Sequence, residues 1–435
     1  MAPAVADEEL ADVAAVAALV AAGDDHGAYA RLRARVGWPR GKELPELPAW
    51  MGLLGTLAER RGSKDLADLA HAVARDPDSP DRLYDLGYAL IDANAPRLAA
   101  SVLWRCLALV GDSEEVVCEL VSALETSLAH ADAFALLAPR EALRAGSFMC
   151  QYLYAFNAAM AGRVDVTRDA LARIATTADG ASIAGGPPEA VAMRAALAAI
   201  VERADRVRGA CPLDAGDLRG WHYVLTGGLL AHQSPHGWPQ PMRGRFAALA
   251  DSHARIATGI DRLRPLAAAA NAPCVYAPPG RGHDIVARAV ALRLGLELAP
   301  WPSIGVPAPG IIALYDLADL PPELGKLVQR RADQIVYAHA TPWTRDCPIA
   351  ADVTALVYGS LLAPWAGSST DGLDARPSDA IAEDIAASPG LAAADLAADE
   401  PARWTALVDR VWPPAPGPRA RAWAGGPVGA IPLDG

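Results

Sequence analysis

Two short segments hold most of the residues whose types and spacing could do chemistry. The first is Pro278-Pro-Gly-Arg-Gly-His-Asp284, placed between an apolar strand-like run and a helical one. Glycines let backbone amides approach an anion, a helix N-terminus presents partial positive charge, and an arginine adds a full one. Gly280, Arg281, Gly282 and His283 therefore form a candidate phosphate seat. Ile285 stands where a dinucleotide fingerprint has its third glycine, and the lysine of a P-loop is missing. The same residues also read as a tight turn followed by an Asp284 N-cap. The second segment, Asp316-Leu-Ala-Asp319, closes another apolar run. Asp316 and Asp319 there suit a metal, ribose or general-base role, and Asp319 ahead of Leu320-Pro-Pro equally suits a helix start.

Other constellations are poorer. His232-Gln-Ser-Pro-His236 has a ligand-like spacing, but Pro235 and Gly237 break the helix that would align the rings. No cysteine or acid stands by as a third ligand, so no metal site is expected. No Gly-X-Ser-X-Gly follows a strand, which removes the nucleophile elbow. Cys347, beside Arg345 and Asp346, sits in a Cys-Pro loop that offers little activation. No catalytic residue is assigned and no cofactor is called for. Arg243-Gly-Arg245 and Arg330-Arg331 read as solvated helix faces, and Trp343 and Trp365 as packing groups.

The elements that must position the two segments follow Cys211-Pro212. Residues 242–270 read as one long helix, 274–277 as a strand, 284–294 as a helix and 310–315 as a strand. A helix at 321–331 and a strand at 334–338 complete the series. Short, fully apolar strands between helices indicate an α/β domain with a mostly parallel sheet. Ligands of such sheets bind beyond the carboxyl ends of the strands. The order of strand, glycine-rich loop, helix ending Leu294-Gly295, and second strand ending in acids resembles the type I phosphoribosyltransferase family. That resemblance implies a phosphorylated small molecule held at residues 278–284 and 316–319. The family has two adjacent acids followed by a Thr/Gly-rich loop, whereas this chain has separated Asp316 and Asp319 and then Leu320-Pro321-Pro322. A fold relative without the chemistry is what these departures imply.

Ahead of this domain nearly every segment has helical periodicity, broken by Gly-, Pro- or Asp-containing turns. Leu69, Leu103, Leu137 and Leu171 recur every 34 residues. Asp65, Ala99, Ala133 and Thr167 precede them in register, and Leu86, Leu120 and Tyr154 align in the preceding helices. Leu86-Gly87, Ala99 and Leu103 make the best unit, with Pro77 and Gly162 at turn positions of others. The pattern resembles the tetratricopeptide repeat, a helix pair whose small residues permit close approach. Leucine at most aromatic positions and Arg140 at a packing site depart from it. Such pairs bury their apolar faces only by stacking, which builds a curved surface suited to a protein or peptide partner.

The chain is thus expected to be multidomain, an all-α helix-pair solenoid followed by an α/β domain. Capping helices would fill residues 1–45, repeats 46–210, the α/β domain 211–366, and a partly helical, Pro/Gly-rich tail 367–435. The tail's helices fall at 378–387 and 400–412, with the remainder extended or disordered. Of 435 residues, 51 are Asp or Glu and 39 Lys or Arg, giving a net charge of −12. That balance argues against a nucleic-acid partner or an anionic membrane. Only Lys42, Lys64 and Lys326 are lysines, and alanine is abundant; both follow from GC-rich codons. The acidic N-terminus lacks the basic character of a leader, and no apolar run reaches the ~20 residues of a membrane span. Cys106, Cys118, Cys150, Cys211, Cys274 and Cys347 have no two-residue spacing, so reduced thiols and a cytoplasmic location are expected. The leading reading is a helical-repeat interaction protein with a catalytically silent α/β domain.

Overall fold

The computed structural model describes residues 3–174, 188–235, 242–302, 305, 307–320, 327–367, 372–396 and 401–428, without the side chains of 3–9. Two units are found, one ending at Arg194 and the other beginning at Ala195. The division falls within a helix rather than at Cys211-Pro212.

The first unit is a helical solenoid. Its helices are α1 (Pro3–Ala21), α2 (Asp25–Val36), α3 (Leu47–Arg60), α4 (Lys64–Arg75), α5 (Pro80–Asp92), α6 (Pro96–Val110), α7 (Glu114–Thr126), α8 (His130–Leu137), α9 (Glu141–Gly146), α10 (Phe148–Met160) and α11 (Val164–Ile174). A continuous core runs through α1 to α10, from Val16 to Cys150. The 34-residue register marks where helices meet: Leu86, Ala99, Leu103, Leu120, Ala133 and Leu137 are all fully buried. Gly87 shows why a small residue is needed, since a Cβ there would stand 2.5 Å from Leu103 Cγ. Gly162 turns the chain between α10 and α11 at φ 77°, a conformation open to glycine at little cost. Arg140 follows the end of α8 at Leu137, and its largely covered side chain bonds the Leu136 carbonyl. Its guanidinium also meets Asp112 at 2.9 Å.

The second unit begins within α12 (Pro188–Arg206) and continues through α13 (Leu218–Thr226). Its strands are β1 (Leu229–Leu230), β2 (Phe246–Ala250), β3 (Cys274–Tyr276), β4 (Glu297–Ala299), β5 (Gly310–Asp316), β6 (Gln329–Arg330), β7 (Gln334–Pro342), β8 (Val353–Leu362) and β9 (Gly417–Pro418). The seven-stranded sheet runs β4-β3-β5-β7-β8, with β1 and β2 sharing the outer edge of β8. Every pairing in it is parallel. β5 and β7 are buried along their whole length, as the two-sided cover of a parallel sheet requires. Helices α14 (His253–Ala269), α15 (Arg281–Leu294) and α16 (Ser378–Ala387) pack together beside β5, β7 and β8. A second apolar cluster, including Leu317, Ile349, Ala350, Ala351 and Ala422, gathers on Ile312, Leu314, Val336 and Ala338.

Several expectations change here. The long helix at 242–270 is a strand, β2, followed by α14, whose N-cap Ser252 accepts from the Arg255 amide at 3.2 Å. The alanine-rich run Phe246-Ala-Ala-Leu-Ala250 favours a helix locally, but pairing with β8 overrides that preference. Of the helix expected at 321–331, residues 321–326 lie outside those described, and 329–330 form β6. The run extending to residue 428 is not loose. Helix α17 (Pro401–Val411) is followed by a segment whose Ala422 N–H donates to Cys347 O at 3.1 Å, and Arg419 pairs with Asp352 at 2.7 Å, both side chains fully buried. Docking of this segment depends on an acid 67 residues earlier. Residues 429–435 lie outside those described.

Candidate functional site

The sheet places the two sequence segments side by side. β3 has β4 on one flank and β5 on the other, so the chain leaves β3 in one direction and returns on its opposite side. That is the arrangement at which parallel sheets open a crevice beyond their carboxyl ends. The first turn of α15 and the turn after β5 meet there through one residue. His283 Nδ1 accepts from the Tyr315 amide at 3.1 Å, and Nε2 stands 3.3 Å from the Asp319 carbonyl. A neutral imidazole with its proton on Nε2 satisfies both contacts. Burial, the largest influence, lowers the His283 pKa against the opposing effects of Asp319 and Asp316.

Each remaining member of the seat also has an internal use. Arg281 donates to the carbonyls of Asp374 and Arg376, at 2.5 and 3.0 Å. Gly282 lies under Trp365 and Tyr315, where a Cβ would be 3.4 and 3.5 Å from their atoms. Gly280 has φ 125°, and it caps α15 four residues before the position expected of an Asp284 cap. Asp284 lies in the first turn instead and pairs with Arg288 at 2.9 Å. Asp316 follows Tyr315 on a strand, so the two side chains point to opposite faces. Tyr315 faces His339, Trp365 and Gly282. Asp316 accepts from the Tyr358 hydroxyl and, at 2.9 Å, from the Ala318 amide. Burial raises its pKa despite those bonds. Asp316 thus caps a short 3₁₀ turn, Leu317–Asp319, while Asp319 is exposed.

Behind the seat lies a buried network that sequence reading missed. Asp251, just past β2, accepts from Tyr315 Oη at 3.1 Å and pairs with His339 Nε2 at 2.9 Å. Burial pushes the Asp251 carboxyl up, but His339, the Ser252 amide and Arg255 together leave it below its ordinary value. His339 Nδ1 and Tyr337 Oη, both buried without a hydrogen-bond partner, lie over Gly259 of α14. No local motif marks these residues, which are separated by up to 88 positions.

A cleft of about 520 Å³, counting its open mouth, lies elsewhere in this unit. Trp221, His222, Arg245, Trp343 and Trp423 line it. The Trp221 and Trp343 indole N–H groups donate to Asp214 and Phe246 carbonyls, at 2.9 and 3.1 Å, leaving ring surface for the cleft. Burial holds the His222 pKa down to about 4, and its Nε2 has no partner. Arg245, expected on a solvated helix face, is 3% exposed. Arg330, likewise expected to be solvated, pairs with Asp352 at 2.6 Å. His232 is buried, and His236 lies outside the described residues. Cys347 is buried in the apolar cluster, and burial pushes its thiol up to about 12.

No family model matches the chain, and no curated protein matches it. Among the described residues, no helix is long and apolar enough to cross a membrane.

Proposed function

We propose that this chain is a helical-repeat interaction protein, tetratricopeptide-like in its repeats, with a catalytically silent α/β domain. The observation that carries this reading is the internal commitment of the seat. Arg281, His283 and Asp316 each hold part of the fold, and Trp365 packs over Gly282. A phosphate at Arg281 would compete with two carbonyls already in place.

The interaction surface we assign is the face carrying Tyr84 and Tyr88 of α5 with Glu115 and Glu119 of α7. Tyr88 is 51% exposed. Burial raises the Tyr84 pKa, and Glu119, Glu115 and Asp85 raise it further. Glu119 is itself raised by burial and then by Asp92. Glu115, Glu119 and Asp85 thus place negative charge beside the Tyr84 ring, one turn from the exposed Tyr88. A Lys/Arg-rich peptide complements it through ion pairs and cation–π contacts. The test is fluorescence anisotropy of a labelled basic peptide on the full chain, with an acidic peptide of equal length as control. Glu115→Lys with Glu119→Lys should weaken binding roughly tenfold or more. Equal binding of both peptides, or no loss in the double variant, sinks the assignment.

A second reading has one observation in its favour: the 278–284 and 316–319 loops converge where the strand order reverses. It makes the domain a sensor or enzyme for a phosphorylated small molecule. Thermal shift with ribose 5-phosphate and pyrophosphate tests it, with Arg281→Ala as the control that must abolish any shift.

A further inference from the structure

The Cys118, Cys150 and Glu114 side chains converge between α7 and α10. The two sulfurs are 4.0 Å apart, and each pair of ligand atoms, one from each residue, lies within 4.8 Å. We propose that these three residues form a site for a zinc-class divalent cation, clamping neighbouring helix pairs of the solenoid together.

The geometry fits the metal. Two thiolates ~2.3 Å from a tetrahedral Zn²⁺ are separated by roughly 3.8 Å, so the sulfurs need to move only a few tenths of an ångström. A disulfide needs an S–S distance of about 2.0 Å, a much larger approach across two packed helices. Glu114 and Cys118 are four residues apart and share one face of α7. Cys150 enters from α10, at the third position after its N-cap Ser147.

Ser147 organises all three. Its hydroxyl donates to Glu114 Oε1 at 2.6 Å and accepts from the Cys150 amide at 3.1 Å. It thereby orients the carboxylate toward the sulfurs and fixes the turn that carries Cys150, the role of a partner standing behind a metal ligand. Binding would release one proton from each thiol and hold a thiolate–thiolate–carboxylate set, with water as the fourth ligand. Cys150 is buried and Cys118 half-buried, whereas Glu114 is exposed and offers the entry path. Soft sulfur donors select zinc-class ions over magnesium or calcium, and the carboxylate disfavours a purely thiolate-bound copper(I).

The experiment uses the full chain, reduced and stripped with chelator, titrated with Co²⁺ and then displaced with Zn²⁺. One equivalent of Co²⁺ should give thiolate-to-metal charge-transfer absorption that Zn²⁺ removes. Cys118→Ser and Cys150→Ser should each abolish that band. Glu114→Gln, a change at an exposed residue, and Ser147→Ala should each weaken Zn²⁺ binding about tenfold or more. Zinc should raise the thermal midpoint of the parent protein and leave that of Cys118→Ser unmoved. Absence of the band, its survival in both cysteine variants, or unchanged affinity in both Glu114→Gln and Ser147→Ala overturns the proposal.

Discussion

The two units hold themselves together by different physics. In the helical unit, neighbours in sequence are neighbours in space, and small residues decide how closely they meet: Gly87 against Leu103, with Ala99 and Ala133 buried alongside. In the α/β unit the buried set includes Asp217, Asp251, Asp316 and Asp352, each paired or hydrogen-bonded. Asp352 alone meets Arg330, Arg419 and the Val336 amide, tying the C-terminal segment to the sheet. A repeat tolerates local change because each pair contacts mainly the next, although Trp38 here also reaches Arg97 and Asp132. A buried acid with two arginines makes distant segments fail together.

The largest test of this contrast is Asp352→Ala. It leaves two buried guanidinium groups without their carboxylate and should remove roughly 3–5 kcal/mol from the α/β unit. In denaturant titration its transition should move to lower concentration while the helical unit's stays; a common shift of both would erase the contrast. Next is a pH effect at His222, whose pKa burial lowers from 6.5 to about 4. The unfolded chain then binds the proton first, so stability is present above 6.5 and falls as pH drops toward 4. The loss reaches about 3 kcal/mol at most, and His222→Phe should flatten that part of the stability-against-pH curve. A third test belongs to the helices: Gly87→Val drives a side chain into Leu103. It should cost about 1–3 kcal/mol, read in the helical transition alone. The smallest effect is expected at Arg281→Ala. Its carbonyl partners are exposed, so equilibrium stability should change by no more than about 1 kcal/mol, while proteolysis near Asp374 accelerates.

How much was legible follows from the same contrast. The repeat register at Leu86, Leu103 and Leu137 was readable because a helix pair's contacts recur at fixed separations along the chain. Strands β3 and β5 and helix α16 were readable from short apolar runs and their breaks. β2 was hidden by alanines whose local preference is helical, and β8 went unread although it spans ten residues and has strands on both flanks. The seat residues were found as types, but their commitments were not. Arg281 reaches carbonyls 93 and 95 residues away, and Tyr358 lies 42 residues from Asp316.

By itself, then, the sequence determined the order of layers: stacked helix pairs, then parallel strands alternating with helices. Periodicity and propensity are local and survive without knowledge of the fold. Only the tertiary structure decided how the charged and sulfur-bearing side chains are used. It set Gly282 and His283 against Trp365 and Tyr315, docked residues 419–428 through Asp352, and brought Cys118 to Cys150. Those outcomes depend on which distant groups share a low-dielectric interior, and burial there makes a partner obligatory.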